Sequence, residues 1–298
     1  MNILISTRFI PIRNGVYQFS TGEHLAEGFR QLNHNVIIYG NVYGTHQFKG
    51  HEELKNIDRI HVYVEMECND SDAPLTAIKN HYKVKGAKHI YWDFDSSFQL
   101  EYNLIKAQRS NADYYAIANV DNKVIFEERL GKPTFSLPYG FNPNFHRPLD
   151  VDKEFKVGFI GSLTNERKET IKQLRDAGIE LLVQEGVYGE ELIKQTNRLF
   201  LMFHENQPGA GSLLCGRHME CMGIGVPLLL SRSDADKAYK AGYPIEHCVI
   251  FNDIPHLVEI LKNLGEAELL EMGRALRATG LEKHTYAQRA QTILKNIK

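Results

Sequence analysis

The chain has 298 residues, of which 43 % are hydrophobic and 24 % charged, with a formal net charge of −2. That length and balance fit a globular protein of two α/β domains or one large one. The first 150 residues carry 16 Lys and Arg against 17 Asp and Glu, and the remainder 19 against 20, so neither half is the basic lobe that nucleic-acid binding usually shows.

Asn2 to Ser6 (NILIS) is a short apolar run that predicts a buried parallel strand. Met1 leads straight into it, which speaks against a signal peptide. A loop with Arg8, Arg13, Gly15 and Tyr17 follows. Thr21-Gly22-Glu23 then opens a helix whose apolar residues Leu25, Phe29 and Leu32 share a face, and Asn35 to Gly40 returns to strand. Such βαβ units build parallel sheets. Gly22, at the helix start, either lets a ligand approach closely or merely makes the turn. Asp58 to Glu65 predicts a third strand. Lys79 to His89 holds four lysines and two histidines, which read as a solvated helix end or as a contact for an anionic acceptor.

His89 to Asp95 (HIYWDFD) predicts a strand running into a loop. Asp93 and Asp95 lie two apart, so near a strand end they point to one side, where ligands of open α/β sheets bind. They are the candidate catalytic residues, one as a general base; the same Asp-x-Asp could hold a divalent metal, and Asp95 could instead cap the helix expected over 98–108. A strand within Asn111 to Asn119, a helix around Val124 to Arg129 and a strand at Thr134 to Leu137 follow. Pro138 to Asp152, with three prolines, a glycine and no periodicity, reads as a linker dividing the chain into domains 1–150 and 151–298.

A second α/β series starts with a strand at Lys156 to Ile160. The loop Gly161 to Lys168 leads into a helix expected from Glu169 to Gly178; Gly161 and Ser162 can present backbone N–H groups, and Arg167 and Lys168 can offset phosphate charge. A strand at Glu180 to Gln184, a turn at Gly186 to Gly189 and a helix at Glu191 to Arg198 come next. The strand ending at His204 runs into Pro208-Gly209-Ala210-Gly211, which is expected to open a helix at Ser212, its N-cap, and to close it at Gly223 and Gly225. The start of such a helix suits an anion. Ser212, Gly216 and Glu220 lie four apart on one face, with Arg217 beside Glu220. An anion at that N-terminus would be about 12 Å from Glu220, whose carboxylate can accept from both hydroxyls of a ribose. Strands from Val226 and at Val249 to Phe251, and helices at Pro255 to Leu264, Ala267 to Leu276 and Thr285 to Ile297, complete the chain.

The four cysteines, Cys68, Cys215, Cys221 and Cys248, form no C-x-x-C pair and fit reduced thiols in a cytoplasm-like compartment. No apolar run approaches the roughly 20 residues that span a membrane.

Four stretches in order resemble the nucleotide-sugar-binding half of GT-B glycosyltransferases, most of all the CgeB-like and group 1 (family 4-like) members: KVGFIGSLTNERKETI from Lys156, GRHMECMGIGVPLLL from Gly216, VIFNDIPHLVEIL from Val249 and KHTYAQRAQTIL from Lys283. The N-terminal half matches only through NILIS, Thr21-Gly22 and PYGFNP from Pro138. The resemblance implies an α/β fold of two Rossmann-like domains facing a cleft, 1–150 for the acceptor and 151–298 for the donor, with a terminal helix that crosses back. It implies hexosyl or pentosyl transfer from a UDP- or GDP-sugar to a glycan, lipid, protein or modified nucleic acid. Glu220 would bind the donor ribose; Arg167 and Lys168 would bind the diphosphate, with Gly22, Gly161, Ser162, Gly211, Ser212 and Arg217 completing the donor site. The second glutamate that relatives often carry eight residues before the ribose glutamate is Ser212 here. Where many relatives place a histidine after an N-domain strand, this chain offers Asp93 and Asp95, with His24 as a substitute. No cofactor is expected and no metal need be involved, because Arg167, Lys168 and the helix dipole would take its part. The rival readings are a nucleotide-sugar epimerase on the same fold, a nucleotide-binding module without catalysis and, more narrowly, a phage-type DNA glycosyltransferase.

Overall fold

A computed structural model describes residues 1–7, 21–41, 48–66, 84–94, 99–206, 211–212 and 214–297. They form two units, Met1–Tyr139 with Tyr286–Lys298 and Gly140–Thr285, each built on its own sheet.

The first sheet comprises β1 (Asn2–Ser6), β2 (Asn35–Asn41), β3 (Phe48–Lys49), β4 (Val62–Met66), β5 (Lys88–Asp93), β6 (Tyr114–Ile117) and β7 (Thr134–Ser136), in the order β3-β2-β1-β4-β5-β6-β7. All pairs are parallel except β2 with the short edge strand β3. A parallel sheet is covered on both faces, so its strands are apolar without alternation. Ile3, Leu4 and Ile5 accordingly have no exposed surface. The strand order reverses between β1 and β4. The helix Thr21–Gln31 starts at that reversal, where a Cβ on Gly22 would lie 2.8 Å from Thr7 Cγ2 and 3.0 Å from the Met66 sulfur. Packing inside this unit therefore already accounts for a glycine at position 22.

The helix Tyr286–Asn296 belongs to this first unit and lies on Thr21–Gln31. Gly28 permits the approach, since a Cβ there would sit 2.4 Å from the Tyr286 carbonyl oxygen. Arg289 donates from Nε to the carbonyls of Pro138 (2.9 Å) and Tyr139 (3.0 Å), and burial brings its guanidinium down to about 10. The chain thus divides at 139/140 and 285/286, where the sequence reading divides it once, at 150/151. Pro138 to Asp152 is no free linker either. Phe141 and His146 are buried in the second unit, and a Cβ on Gly223 would lie 2.7 Å from both.

His24 stacks on Tyr286 at 5.7 Å, and burial lowers its pKa from 6.5 to about 4. The unfolded chain takes up this proton near 6.5 and the folded chain only near 4. Stability from this group is therefore complete above the unfolded value and is lost as pH falls toward the folded one, by about 3 kcal/mol at most. Urea midpoints measured across this window should fall less in His24→Gln than in the parent; parallel curves would refute the assignment.

The second sheet comprises β8 (Phe155–Ile160), β9 (Leu181–Gln184), β10 (Leu199–His204), β11 (Leu228–Ser231) and β12 (Val249–Phe251), all parallel, in the order β12-β11-β10-β8-β9. Val157, Phe159, Leu201, Phe203, Leu229 and Leu257 share its core. The helix expected at Ala267 to Leu276 extends over Glu266–Lys283, and three others depart from the sequence reading in ways that bear on the site. The first starts at Asn165, four residues early, because the Thr164 side chain accepts from the Arg167 N–H at 3.4 Å and caps it. The glycine-rich segment does not open a helix at Ser212. Leu214 is fully buried and Cys215 is extended (φ −74, ψ 172), so the helix runs from Gly216 to Ile224. The helix Arg232–Lys240, which the sequence reading passes over, is capped by Ser231 accepting from the Asp234 N–H at 3.2 Å.

Candidate functional site

In the second sheet the chain goes from β8 out to β9 and returns to β10 on the other side of β8. Open α/β sheets bind ligands at such a reversal, beyond the carboxyl ends of the strands. A cleft of about 240 Å³ lies there, and Gly161, Ser162, Arg167, Tyr188, His204, Cys215 and Arg217 are among its lining residues.

Thr164 and Arg167 explain how the loop after β8 meets the cleft. The cap places Arg167 in the first turn of a helix, whose free amides and dipole favour an anion. The Arg167 guanidinium is braced: Nη1 donates to the Ser162 carbonyl (2.9 Å), while Nε (3.2 Å) and Nη2 (2.7 Å) donate to the Glu205 carbonyl. Its carbon stands 5.6 Å from the Phe159 ring centre. A guanidinium has five N–H donors, so among the described residues one on each of Nη1 and Nη2 is left over, and two such donors can meet a phosphate together. The neighbouring amides are less available than the sequence suggests. Gly161 N–H donates to the Gln184 carbonyl (3.0 Å) and Leu163 N–H to the Glu185 carboxylate (2.5 Å). Lys168 follows in the same turn but is exposed and does not line the cleft.

The helix Gly216–Ile224 carries Arg217, which lines the cleft, and Glu220, which is not among the lining residues but pairs with Arg217 at 3.0 Å, with 17 % and 23 % of the two side chains exposed. Burial pushes the Glu220 carboxyl above its ordinary range, and Arg217 opposes that shift. Buried Arg217 Nη1 makes no hydrogen bond among the described residues despite the ion pair, so its N–H groups are misaligned with the carboxylate. Because the helix starts at Gly216, Glu220 stands only about 6 Å along the axis from the helix start. Gly216 keeps that face open; a Cβ there would meet Glu220 Oε1 at 3.7 Å.

Gly211 adopts φ +59, where glycine is favoured, and Ser212 is 3 % exposed. Pro208, Gly209 and Ala210 lie outside the described residues. So does Asp95. Asp93 ends β5 in the first unit with no exposed surface. Of the basic stretch at 79–89, residues 79–83 lie outside the described residues. His89 lies 2.7 Å from Glu65, whose same oxygen accepts from Ser110 at 2.6 Å.

Two features escaped the sequence reading. Tyr188, seen there only as part of a turn, is 49 % exposed beside the cleft, between Gly186 (φ +67) and Gly189 (φ +61). The other is a cluster: Cys215 Sγ lies 3.2 Å from His218 Nδ1 and 4.0 Å from His204 Nε2. Burial alone would raise the Cys215 thiol, but the two imidazoles outweigh it and hold the thiol well below its ordinary range. The spacing Cys215-x-x-His218 is the available signal, since a residue at a helix N-cap and one three positions on lie close together.

A family model described as "Glycosyl transferase-like" matches residues 144–295. No curated protein matches the chain. Among solved structures, HepE (Alr3699) of Anabaena in complex with UDP is 11 % identical with a TM-score of 0.59, over 99 % of both chains. The same protein in complex with UDP-glucose gives 12 % and 0.58, over 99 % of this chain and 98 % of that one. TarM gives 11 % and 0.57, over 79 % of this chain and 55 % of its own. At these identities the likeness is one of fold, two Rossmann-like units of the GT-B type. Among the described residues no helix is long and apolar enough to cross a membrane.

Proposed function

The chain belongs to the glycosyl transferase-like family, and from that premise we propose that its second unit holds the nucleotide of a sugar donor, UDP first among candidates, while the first unit serves the acceptor. The observation that carries the proposal is the lining of one cleft by the braced Arg167 and by Arg217, whose ion-pair partner is Glu220. Arg167 takes the diphosphate with its two remaining N–H groups, assisted by the helix it opens and by Ser162 and Gly211. Glu220 accepts from the ribose hydroxyls, which frees Arg217 to turn its unsatisfied Nη1 toward phosphate. Tyr188 offers its ring to the base. HepE supports uridine over other bases, since that fold was solved with both UDP and UDP-glucose. CgeB-like membership remains part of the proposal.

The chemistry asked of these residues is stabilisation of a leaving diphosphate as its charge develops. A braced guanidinium and a helix N-terminus supply positive charge without reorganising, so no divalent metal is needed for donor binding or transfer. Asp95, in the segment after β5, is our candidate base. Asp93 has no surface to offer an acceptor in this conformation.

Glu220→Ala tests the donor assignment. Losing a carboxylate acceptor costs about 1.5–3 kcal/mol, so the donor KM should rise roughly 10- to 100-fold with kcat changed less. An unchanged donor KM would overturn the ribose role. Transfer that requires added magnesium would overturn the metal-independent account.

A further inference from the structure

We propose that His204, Cys215 and His218 form a binding site for one thiophilic divalent cation, zinc foremost. The three residues come from separate places that the fold brings together. His204 ends β10, Cys215 is the extended residue before the helix Gly216–Ile224, and His218 lies in its first turn. Their ligand atoms all lie within 4.8 Å of one another.

The distances suit a shared ion. Zinc bonds to thiolate sulfur at about 2.3 Å and to imidazole nitrogen at about 2.0–2.1 Å, so a tetrahedral centre separates sulfur from nitrogen by roughly 3.5 Å. The observed separations, 3.2 Å to His218 and 4.0 Å to His204, bracket that value. One thiolate and two imidazoles are soft donors, which select zinc, cobalt or copper over magnesium and calcium. Charge is also balanced nearby. Asp234 is 6 % exposed and holds Asn206 through its N–H (3.3 Å) and Nδ2 (3.2 Å), and Asn206 Oδ1 faces His204 Nε2 at 3.0 Å. Coordination through Nε2 displaces that last contact. Lys237, 3.7 Å from Asp234, is the opposing charge paired with this carboxylate among the described residues.

Three protein ligands leave a fourth position. Cys215 and His204 both line the cleft, so that position opens toward it and takes water or an exchangeable ligand. The site is independent of the nucleotide reading, and a chain that binds zinc but no nucleotide would leave it standing.

The test uses the reduced, metal-stripped full chain titrated with cobalt(II). One equivalent should produce a thiolate-to-cobalt charge-transfer band with the intense visible bands of tetrahedral cobalt, and zinc should abolish both by displacement. C215S should lose the charge-transfer band. H204N and H218N should each weaken cobalt binding by at least about 100-fold, the upper end of what loss of a mere supporting residue does. C68S should behave as the parent. Circular dichroism and a melt without metal establish that each variant is folded; should C215S fail to fold, the two histidine variants decide. No charge-transfer band in the folded parent, a band that survives C215S, or parental affinity in both histidine variants would overturn the proposal.

Discussion

Arg167→Ala is expected to lower kcat/KM for the donor by about 10²–10³-fold, the loss typical of removing one preorganised donor to developing negative charge. The side chain is fixed by the Ser162 and Glu205 carbonyls before any ligand arrives, so binding and catalysis do not have to order it. Arg167→Lys should recover little. An ammonium supplies charge, but it cannot hold both carbonyls and still present two parallel N–H groups to a phosphate. Lys168→Ala, one residue on and exposed, should cost less than about 5-fold, in keeping with a screened surface charge. Equal losses at 167 and 168 would show that local positive charge matters and the brace does not.

Gly28→Ala should be the most damaging single methyl group in the first unit. The added Cβ would lie 2.4 Å from the Tyr286 oxygen and 2.5 Å from its carbonyl carbon, and backbone atoms cannot rotate away as a side chain would. The helix Tyr286–Asn296 must back off, uncovering Ala290 and Ile293, neither of which has exposed surface. Overpacking of this kind costs about 3 kcal/mol, and the melting temperature of a unit this size should fall by roughly 6–12 °C. Gly265→Ala is the comparison: nothing stands within 4 Å of a Cβ there, so the change should cost only what alanine loses to glycine as N-cap of the helix Glu266–Lys283, about 1 kcal/mol at most. A Gly28→Ala protein that melts with the parent would mean that the terminal helix contributes nothing to the first unit's stability.

These two residues also show what the sequence could and could not convey. Most strands were legible because a buried parallel strand is an uninterrupted apolar run, and NILIS, KVGFI and LFLMFH fall in β1, β8 and β10. Arg167 and Glu220 stand out in the sequence as candidates, since a basic residue after a Gly-Ser loop and a carboxylate on a helix face are local patterns; their roles belong to the proposal. Their settings were not legible. The early start of the helix at Asn165 depends on one Thr164 side chain choosing the Arg167 amide, and the late start at Gly216 depends on Leu214 being buried. The first is a local capping hydrogen bond and the second a matter of packing. The domain boundary was misplaced for that second reason. Pro138 to Asp152 has the composition of a linker, yet Phe141 and His146 are buried against Gly223, and that is visible only in three dimensions. The cluster at Cys215 depends on His204, eleven residues earlier on another element. No local pattern connects them.

The most direct test of the central claim is a thermal-shift panel with UDP, GDP, CDP, dTDP and ADP, each with magnesium and with chelator. A ligand at 100 times its Kd stabilises by about 2.7 kcal/mol, a shift of several degrees. Stabilisation by UDP above the other four, equal with magnesium and with chelator, and absent in Arg167→Ala, is the predicted result. No shift with any diphosphate, or an equal shift in Arg167→Ala, would contradict the assignment of the cleft at the ends of β8 and β10 as the donor site.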